Sequence, residues 1–235
     1  MPVLDILRTE QKYPIRLDTA QALSNQLSLL MERDPYTGAS GSYPVRSLYF
    51  DSFYNRDFYE KSAGLECRKK LRLRTYGPEY SIAKLEWKQK QGSVQRKRSL
   101  LLSLEEAELM AQGDYRCLLN RPEPLALEFY TQMTTQVYRP CCIVEYNRTA
   151  FVEKTNDTRI TLDRDLRVHE GNSNLFSPHF LPYPATTPNQ LTLEIKYNTF
   201  LLSYIKDVLS RYTSQQSAMS KYCAGRKYGL GGTML

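Results

Sequence analysis

CRKKLRLRTYGPEYSIAKLEWKQKQGSVQRKRS, residues 67–99, decides the fold of this chain. Basic and apolar residues alternate in this stretch with the two-residue period of a β-strand. Three such runs follow one another, and they are separated by Gly77-Pro78 and by Gly92, which are typical turn positions. We therefore predict three consecutive antiparallel strands, each with one cationic face and one partly apolar face.

The predicted polar face carries far more positive than negative charge. Its cations are Arg72, Arg74, Lys84, Lys88, Lys90, Arg96 and Arg98. Glu86 is the one carboxylate that accompanies them. A solvated face usually mixes the two signs, because like charges on opposite strands destabilise a sheet. We therefore expect an anion to bind this face.

Composition narrows the class of protein. A net charge of +7 indicates a polyanionic partner such as nucleic acid, an acidic membrane surface or a phosphate compound. No Gly/Ser or Pro linker divides the strand-rich middle, so we predict a single domain over residues 1–235. The five cysteines form no CxxC pair, which favours reduced thiols and a cytoplasmic location. No segment is apolar over enough residues to predict a membrane-spanning helix.

Further strands with one charged face bring the predicted total to about eight. They are expected at residues 7–15, 45–51, 141–152, 158–166 and 191–197. Helices are expected at residues 19–32, 103–111, 124–137 and 200–212. The first two helices are predicted to begin with capping boxes, formed by Asp18 with Gln21 and by Ser103 with Glu106.

Eight antiparallel strands can close into a barrel, and closure removes exposed sheet edges. The helix at 19–32 needs an apolar surface to cover, which the apolar strand faces supply, so the charged faces are predicted to point inward. The expected fold class is α+β, a closed eight-stranded antiparallel β-barrel with helices packed on the outside. A cationic interior must stay wet or hold anions.

The residue types in this predicted tunnel suit phosphate chemistry. Arginines spaced by two residues can make bidentate contacts with phosphate, and lysines add point charges. Glu10, Glu86 and Glu194 lie on the same faces, where they can balance part of the charge or hold a divalent metal that bridges phosphate groups. The pattern indicates binding and transfer of a linear phosphate chain.

Seven short motifs follow in order along the chain. They are R-x-E-x-K-Y at 8–13, R-L-R at 72–74, L-E-x-K at 85–88, E-Y-N-R-T-A-F at 145–151, R-I-T-L-D at 159–163, L-E-I-K-Y at 193–197 and S-K-Y at 220–222. The set resembles the catalytic domain of the vacuolar transporter chaperone (VTC) polyphosphate polymerases, in the triphosphate tunnel metalloenzyme (CYTH) superfamily.

The resemblance implies a tunnel enzyme that passes the γ-phosphate of ATP, or of another nucleoside triphosphate, to a growing inorganic polyphosphate chain. Mn²⁺ or Mg²⁺ is the implied cofactor, with Glu194 as its ligand. The matching phosphate-binding positions are Lys12, Lys61, Arg72, Arg74, Lys88, Arg148, Arg159 and Lys221. Tyr146 and Ser220 match positions near the triphosphate, Arg96 or Arg98 takes the place of a further family lysine, and Glu10 joins the substrate-binding set.

One departure from the family of hydrolytic tunnel enzymes bears on the reaction. Arg8 stands where those enzymes usually have the first glutamate of E-x-E-x-K, which favours holding polyphosphate over hydrolysing a small triphosphate. A metal-dependent inorganic or nucleoside triphosphatase and a non-catalytic polyphosphate-binding module are the alternatives. Nucleic acid is not an expected partner, because the eighteen tyrosines scatter through strands and loops rather than along an open basic surface.

Overall fold

The computed structural model describes residues 9–38, 40–76, 83–92, 94–171, 174–177, 182–213, 215–227 and 229. Within these ranges the strands are β1 (Thr9–Arg16), β2 (Glu32–Arg33), β3 (Tyr43–Asp51), β4 (Arg68–Tyr76), β5 (Ala83–Gln91), β6 (Val94–Leu102), β7 (Arg139–Glu153), β8 (Thr158–Glu170), β9 (Tyr183–Pro184) and β10 (Gln190–Tyr197). The helices are α1 (Leu17–Leu30), α2 (Arg56–Ser62), α3 (Leu104–Ala111), α4 (Pro124–Thr135), α5 (Ser203–Ser210) and α6 (Lys221–Gly225).

Eight of the strands are hydrogen-bonded neighbours in the order β1-β10-β8-β7-β3-β4-β5-β6, while β2 pairs with β7 and β9 with β8. Each pairing whose register is described is antiparallel. The α+β class and the antiparallel strands are therefore confirmed. Closure into a barrel stays a prediction.

The chain forms two compact units. The first comprises Met1–Pro44, Tyr146–Leu166 and Pro184–Met219, and the second comprises Val45–Glu145, Arg167–Tyr183 and Ser220–Leu235. The single domain over residues 1–235 stays a prediction.

In the first unit, the apolar faces of β1, β8 and β10 are covered by helices α1 and α5. Leu193 of β10 and Leu23 of α1 are completely buried in this core, together with Ile205 of α5. Burying a leucine or isoleucine side chain contributes roughly 1.5–3 kcal/mol. Lys12, Glu194 and Arg159 of these strands lie on the opposite face, because successive side chains alternate along a strand.

Helix α1 begins two residues before the predicted start. Arg16 is its N-cap residue and makes no side-chain cap. Asp18 instead lies inside the first turn, where its Oδ1 accepts a hydrogen bond from the Thr19 backbone at 2.7 Å. The predicted capping box of Asp18 with Gln21 is therefore wrong, although a carboxylate in the first turn still complements the helix dipole.

In the second unit, helices α3 and α4 cover the apolar face of β3 to β6. Leu73, Leu85 and Trp87 of the strands pack in this core, and the Trp87 ring lies 5.6 Å from that of Phe129 in α4. The predicted capping box of α3 is confirmed, since Ser103 Oγ accepts from the Glu106 backbone at 3.2 Å and Glu106 Oε2 accepts from the Ser103 backbone at 2.9 Å. In each unit, helices thus cover the apolar side of the strands, as predicted.

None of the helices in the described part of the chain has the length and apolar character needed to cross a bilayer. All five cysteines are free thiols.

Candidate functional site

The second unit presents a strongly cationic sheet surface on β4, β5 and β6. In the register of these strands Arg72 pairs with Glu86, and Lys88 lies between Lys70 and Lys97. The charged residues of this face are Arg68, Lys70, Arg72, Arg74, Lys84, Glu86, Lys88, Lys90 and Lys97. We call this surface the β4–β6 cationic face. Among the described residues of these three strands, Glu86 is its one carboxylate.

Glu86 is completely buried and is surrounded by cations. Its Oε2 accepts a hydrogen bond from Arg72 Nε at 2.6 Å and lies 3.9 Å from Arg74 Nη1, while Oε1 forms an ion pair with Lys97. Burial alone raises the pKa of Glu86, but Arg72, Arg74 and Lys97 outweigh burial and hold it well below its usual range. Glu86 therefore stays ionised, and it balances only part of the positive charge around it.

Strand β6 presents Lys97 to this face, and neither Arg96 nor Arg98. Arg98 pairs in register with Trp87, so both arginines lie on the helix-covered side. The Arg98 guanidinium lies 4.5 Å from the centre of the Trp87 ring and forms an ion pair with Glu128 of α4. The expectation that Arg96 or Arg98 shares a face with Arg72 is therefore corrected to Lys97. The physical reason is that a register shift of one residue exchanges the two faces of a strand.

The C-terminal S-K-Y motif meets the β4–β6 cationic face. Lys70 Nζ donates a hydrogen bond to Ser220 Oγ at 2.6 Å, and Ser220 Oγ also accepts from the Cys223 backbone at the start of α6. This contact places Lys221, the first residue of α6, close to strand β4. Helix α2, which carries Lys61 in its last turn, packs against both β4 and α6. The structure thus groups Ser220, Lys221 and Lys61 around the strand that carries Arg72 and Arg74.

In the first unit, the polar faces of β1, β10 and β8 form two rows of cross-strand neighbours. Lys12, Glu194 and Thr161 are neighbours in one row. Glu10, Lys196 and Arg159 are neighbours in the next row. The neighbours of opposite sign in β1 and β10 stabilise the sheet even without a ligand, whereas Lys196 and Arg159 carry like charges.

Among the described cations of this unit, Arg148 of β7 is the most enclosed. It makes a bidentate pair with Asp163, with Nε to Oδ1 at 2.7 Å and Nη2 to Oδ2 at 2.8 Å, and it lies 3.6 Å from Glu194. Its guanidinium also lies 5.2 Å from the centre of the Tyr146 ring. Burial lowers the pKa of Arg148, but Asp163 more than compensates and raises it well above the usual range. Arg148 is therefore a permanent buried cation.

Every predicted cation of the first unit contacts a carboxylate. Lys12 lies 3.0 Å from Glu10, and Arg159 forms an ion pair with Asp34. Lys196 lies 2.8 Å from Glu194. This polar face is therefore close to electrically balanced, in contrast to the β4–β6 cationic face.

The carboxylates of this polar face fit a divalent metal only if phosphate oxygens of the enzyme's substrate complete its coordination. Within the described ranges, no three His, Cys, Asp or Glu side chains are arranged to hold a metal ion by themselves. Glu194 is only 5% exposed and contacts Lys196 and Arg148. Mg²⁺ often binds through one or two carboxylates together with phosphate oxygens of the substrate. Glu194, with Glu10 in the adjacent row, fits that type of site.

A cavity of about 440 Å³ lies on the helix-covered side of the first unit. Tyr13, Ile195 and Tyr197 of the strands line it, together with Leu209 of α5. Because the predicted site residues of β1 and β10 point to the opposite face, this cavity is separate from the predicted site.

Several residues outside the sequence-based site set belong to these polar faces. Among them are Lys70, Lys97, Asp163 and Lys196. The strand period carries the signal for Lys70 and Lys196, since each is two residues from a predicted site residue. Arg8 and the predicted turn at Gly77-Pro78 lie outside the described residues.

Comparisons with known proteins bear on the family and the fold. A family model, the VTC domain, matches residues 7–229. The fold is similar to that of a candidate adenylate cyclase from Bacillus halodurans, with 15% identity, a TM-score of 0.50, and coverage of 86% of this chain and 85% of that one.

It is also similar to a candidate adenylyl cyclase from Hippeastrum that is described as having a dominant triphosphatase activity. That match has 15% identity and a TM-score of 0.50, and it covers 97% of this chain and 98% of the other. At such identity the two structures show a shared fold alone. No protein of curated function matches the sequence.

Proposed function

We propose, since this chain belongs to the VTC domain family, that it is a triphosphate-binding enzyme that lengthens inorganic polyphosphate. Its donor substrate is ATP or another nucleoside triphosphate, and its acceptor is the end of a polyphosphate chain. The observation that carries this proposal is the β4–β6 cationic face, on which a single buried carboxylate stands among many cations.

The geometry of this face suits a repeating anion. Arg72 and Arg74 point to the same side of β4, and a guanidinium group is well suited to contacting phosphate oxygens. Lys88 and Lys97 continue the positive charge across the neighbouring strands. A linear phosphate chain presents oxygens at regular intervals, so one chain can engage several of these cations.

The reaction needs no side-chain nucleophile. A terminal oxygen of the acceptor chain attacks the γ-phosphorus, the bond from that phosphorus to the bridging oxygen of ADP breaks, and ADP leaves. The protein contributes by holding donor and acceptor in line and by stabilising the charge that shifts between oxygens. The residues proposed for this task are Lys12, Arg72, Arg74, Lys88, Arg148, Arg159 and Lys221. Lys61, Tyr146, Ser220 and Glu10 are proposed as further substrate contacts.

Glu194 is the proposed metal ligand. When bound, Mn²⁺ or Mg²⁺ supplies charge neutralisation at the phosphate oxygens. The contacts of Glu194 with Lys196 and Arg148 keep its carboxylate oriented on the polar face of β10. Substitution of Glu194 by Gln keeps the size of the side chain and removes its charge, so it tests this role directly.

The decisive experiment follows both possible products. Purified protein is incubated with ATP and MnCl₂, polymer is resolved by gel electrophoresis, and orthophosphate is measured in the same samples. The proposal expects ADP and polyphosphate, with loss of both in Arg72→Ala. Arg116→Ala is the matched control, because Arg116 is an exposed arginine paired with Asp114 alone in the described structure.

A triphosphatase is the second candidate. The activity described for the Hippeastrum protein supports it, since the two chains share a fold over nearly their full lengths. Release of orthophosphate without polymer would establish the triphosphatase. Binding of polyphosphate with no turnover, unaltered by Glu194→Gln, would instead establish a binding module. The free thiols support the proposal of a cytoplasmic location.

A further inference from the structure

Asp51, the last residue of β3, is completely buried and collects hydrogen-bond donors from three segments. Its Oδ1 accepts from the backbone N–H groups of Ser52 and Asp57, at 2.8 and 2.9 Å. Its Oδ2 accepts from the Phe58 backbone at 3.0 Å and from the hydroxyl of Tyr222. A buried carboxylate is stable when donors satisfy it in this way.

Two of these contacts cap helix α2. The first N–H groups of a helix have no partner inside it, and they need one from outside. Asn55, the N-cap residue, has φ 55° and makes no side-chain cap. Asp51 takes over that role for Asp57 and Phe58, and Ser52 Oγ accepts from the Arg56 backbone at 3.0 Å. The position of α2 therefore depends on the end of β3.

The same carboxylate holds the C-terminal segment 220–226. Tyr222 is 1% exposed, its ring stacks on Tyr49 at 5.0 Å, and it meets Phe58 edge-on at 6.3 Å. Arg226 Nη2 donates to Asn55 Oδ1 at 2.6 Å, which ties this segment to α2 a second time.

Gly225 shows how closely this segment lies against β7. A Cβ atom at Gly225 would be 2.9 Å from Val144 Cγ2 and 3.1 Å from Cys142 Sγ. Such distances leave no room for a side chain. The segment is thus fixed by packing on one side and by the Asp51 carboxylate on the other.

We infer that Asp51 is a positioning residue that fastens α2 and segment 220–226 to one point of β3. Through α2 it sets the position of Lys61. Through Tyr222 it sets the positions of Ser220 and Lys221 beside strand β4, where Lys70 meets Ser220. The inference rests on the proposed function for the role of these residues as phosphate contacts, whereas the fastening itself is a property of the fold.

Tyr222→Phe tests the fastening with the least disturbance, because it removes one hydroxyl and keeps the ring stack on Tyr49. Tyr115→Phe is the matched control, since it also removes a buried hydroxyl, which donates to the Tyr138 carbonyl at 2.8 Å. Hydrogen exchange is followed at the backbone amides of Ala224 and Arg226, which are bonded within the segment. Exchange at these amides is expected to be roughly tenfold faster or more in Tyr222→Phe, because a hydrogen bond to a charged group is lost.

Asp51→Asn extends the test to α2, where faster exchange is expected at the amides of Asp57 and Phe58 as well. Unchanged exchange at all these amides in both variants would overturn the inference. This outcome does not depend on any enzymatic activity.

Ligand binding then tests the consequence for the site. The affinity of the full chain for tripolyphosphate is measured by calorimetry, and it is expected to fall roughly tenfold in Tyr222→Phe and to stay unchanged in Tyr115→Phe. In turnover, KM is expected to rise while kcat is nearly retained, since the substrate contacts are displaced rather than removed. Faster exchange with unchanged affinity would overturn the positioning role.

A wild-type chain that binds no tripolyphosphate would contradict the proposed function. The positioning of phosphate contacts would fall with it, and the exchange measurements would still decide whether Asp51 fastens the two segments.

Discussion

Arg148 and Asp163 form a two-point ion pair at hydrogen-bond distances of 2.7 and 2.8 Å, and the two side chains are only 8% and 1% exposed. Arg116 and Asp114 form a similar two-point pair, but on the surface, where the arginine side chain is 80% exposed. The same chemistry thus occurs once in a desolvated setting and once in water. The comparison separates the effect of burial from that of pair geometry.

Asp163→Asn is expected to lower the free energy of unfolding by about 3–5 kcal/mol, because it leaves Arg148 as a buried cation without its principal partner. Asp114→Asn is the matched control and is expected to leave stability close to that of the wild type, since water replaces the lost partner. Urea unfolding at neutral pH measures both variants. Equal effects of the two substitutions would show that the Arg148 pair is not the buried contact described above.

Lys97→Ala and Arg98→Ala are expected to affect different properties, ligand affinity and stability respectively, because the two side chains lie on opposite faces of β6. Lys97→Ala removes a cation from the β4–β6 cationic face, so the affinity for tripolyphosphate is expected to fall roughly tenfold at low salt. Arg98→Ala is expected to leave affinity unchanged and to cost about 1–2 kcal/mol of stability through its lost contact with Trp87. Calorimetry and urea unfolding provide the two measurements, and the reverse pattern would contradict the register of β6.

Asp57 is expected to make stability fall between about pH 4 and pH 7. Burial and the neighbouring Asp51 carboxylate raise the pKa of Asp57 to about 7, above its value of 3.8 in an unfolded chain. In this window the folded state holds a proton that the unfolded state has lost, so the free energy of unfolding decreases as pH rises, by at most roughly 1.4 kcal/mol per pH unit. Asp57→Asn is expected to flatten this decline, whereas Asp207→Asn, at an exposed carboxylate, is expected to retain it.

Glu86 is expected to act in the opposite direction at acid pH. Its pKa is lowered in the folded state, so its contribution to stability is present above the unfolded value of 4.5 and is lost as pH falls below it. Glu86→Gln is expected to be less stable than the wild type at neutral pH, with a difference that shrinks toward pH 3. A constant difference over this range would contradict the ion pairs of Glu86 with Arg72 and Lys97.

The periodicity of the sequence predicts the faces of most strands correctly. Leu71 and Leu73 pack under the helices while Arg72 and Arg74 lie opposite, because alternation along a strand follows from backbone geometry alone. The capping box of Ser103 with Glu106 is likewise a local pattern with a local cause. These features depend only on residues close together in the chain.

The sequence pattern does not predict features that depend on strand register or on contacts between distant residues. The face of Lys97 depends on the alignment of Val94 with Gln91. The basic run from Arg96 to Arg98 does not reveal this alignment, because a cation faces the polar side in either register: Lys97 in one, Arg96 and Arg98 in the other. The contact of Asp51 with Tyr222 joins residues 171 positions apart. No local pattern marks such a pair before the fold is known.

The uneven charge of the β4–β6 cationic face has a consequence for the resting protein. Between turnovers, small mobile anions from the medium, such as chloride or orthophosphate, gather near a surface with this many cations. Binding of a polyphosphate chain releases these ions into bulk water. The resulting gain in entropy contributes to the free energy of binding, as it does when polyelectrolytes bind cationic proteins. The affinity for the polymer therefore depends on the ionic composition of the medium, and it is expected to fall as the salt concentration rises.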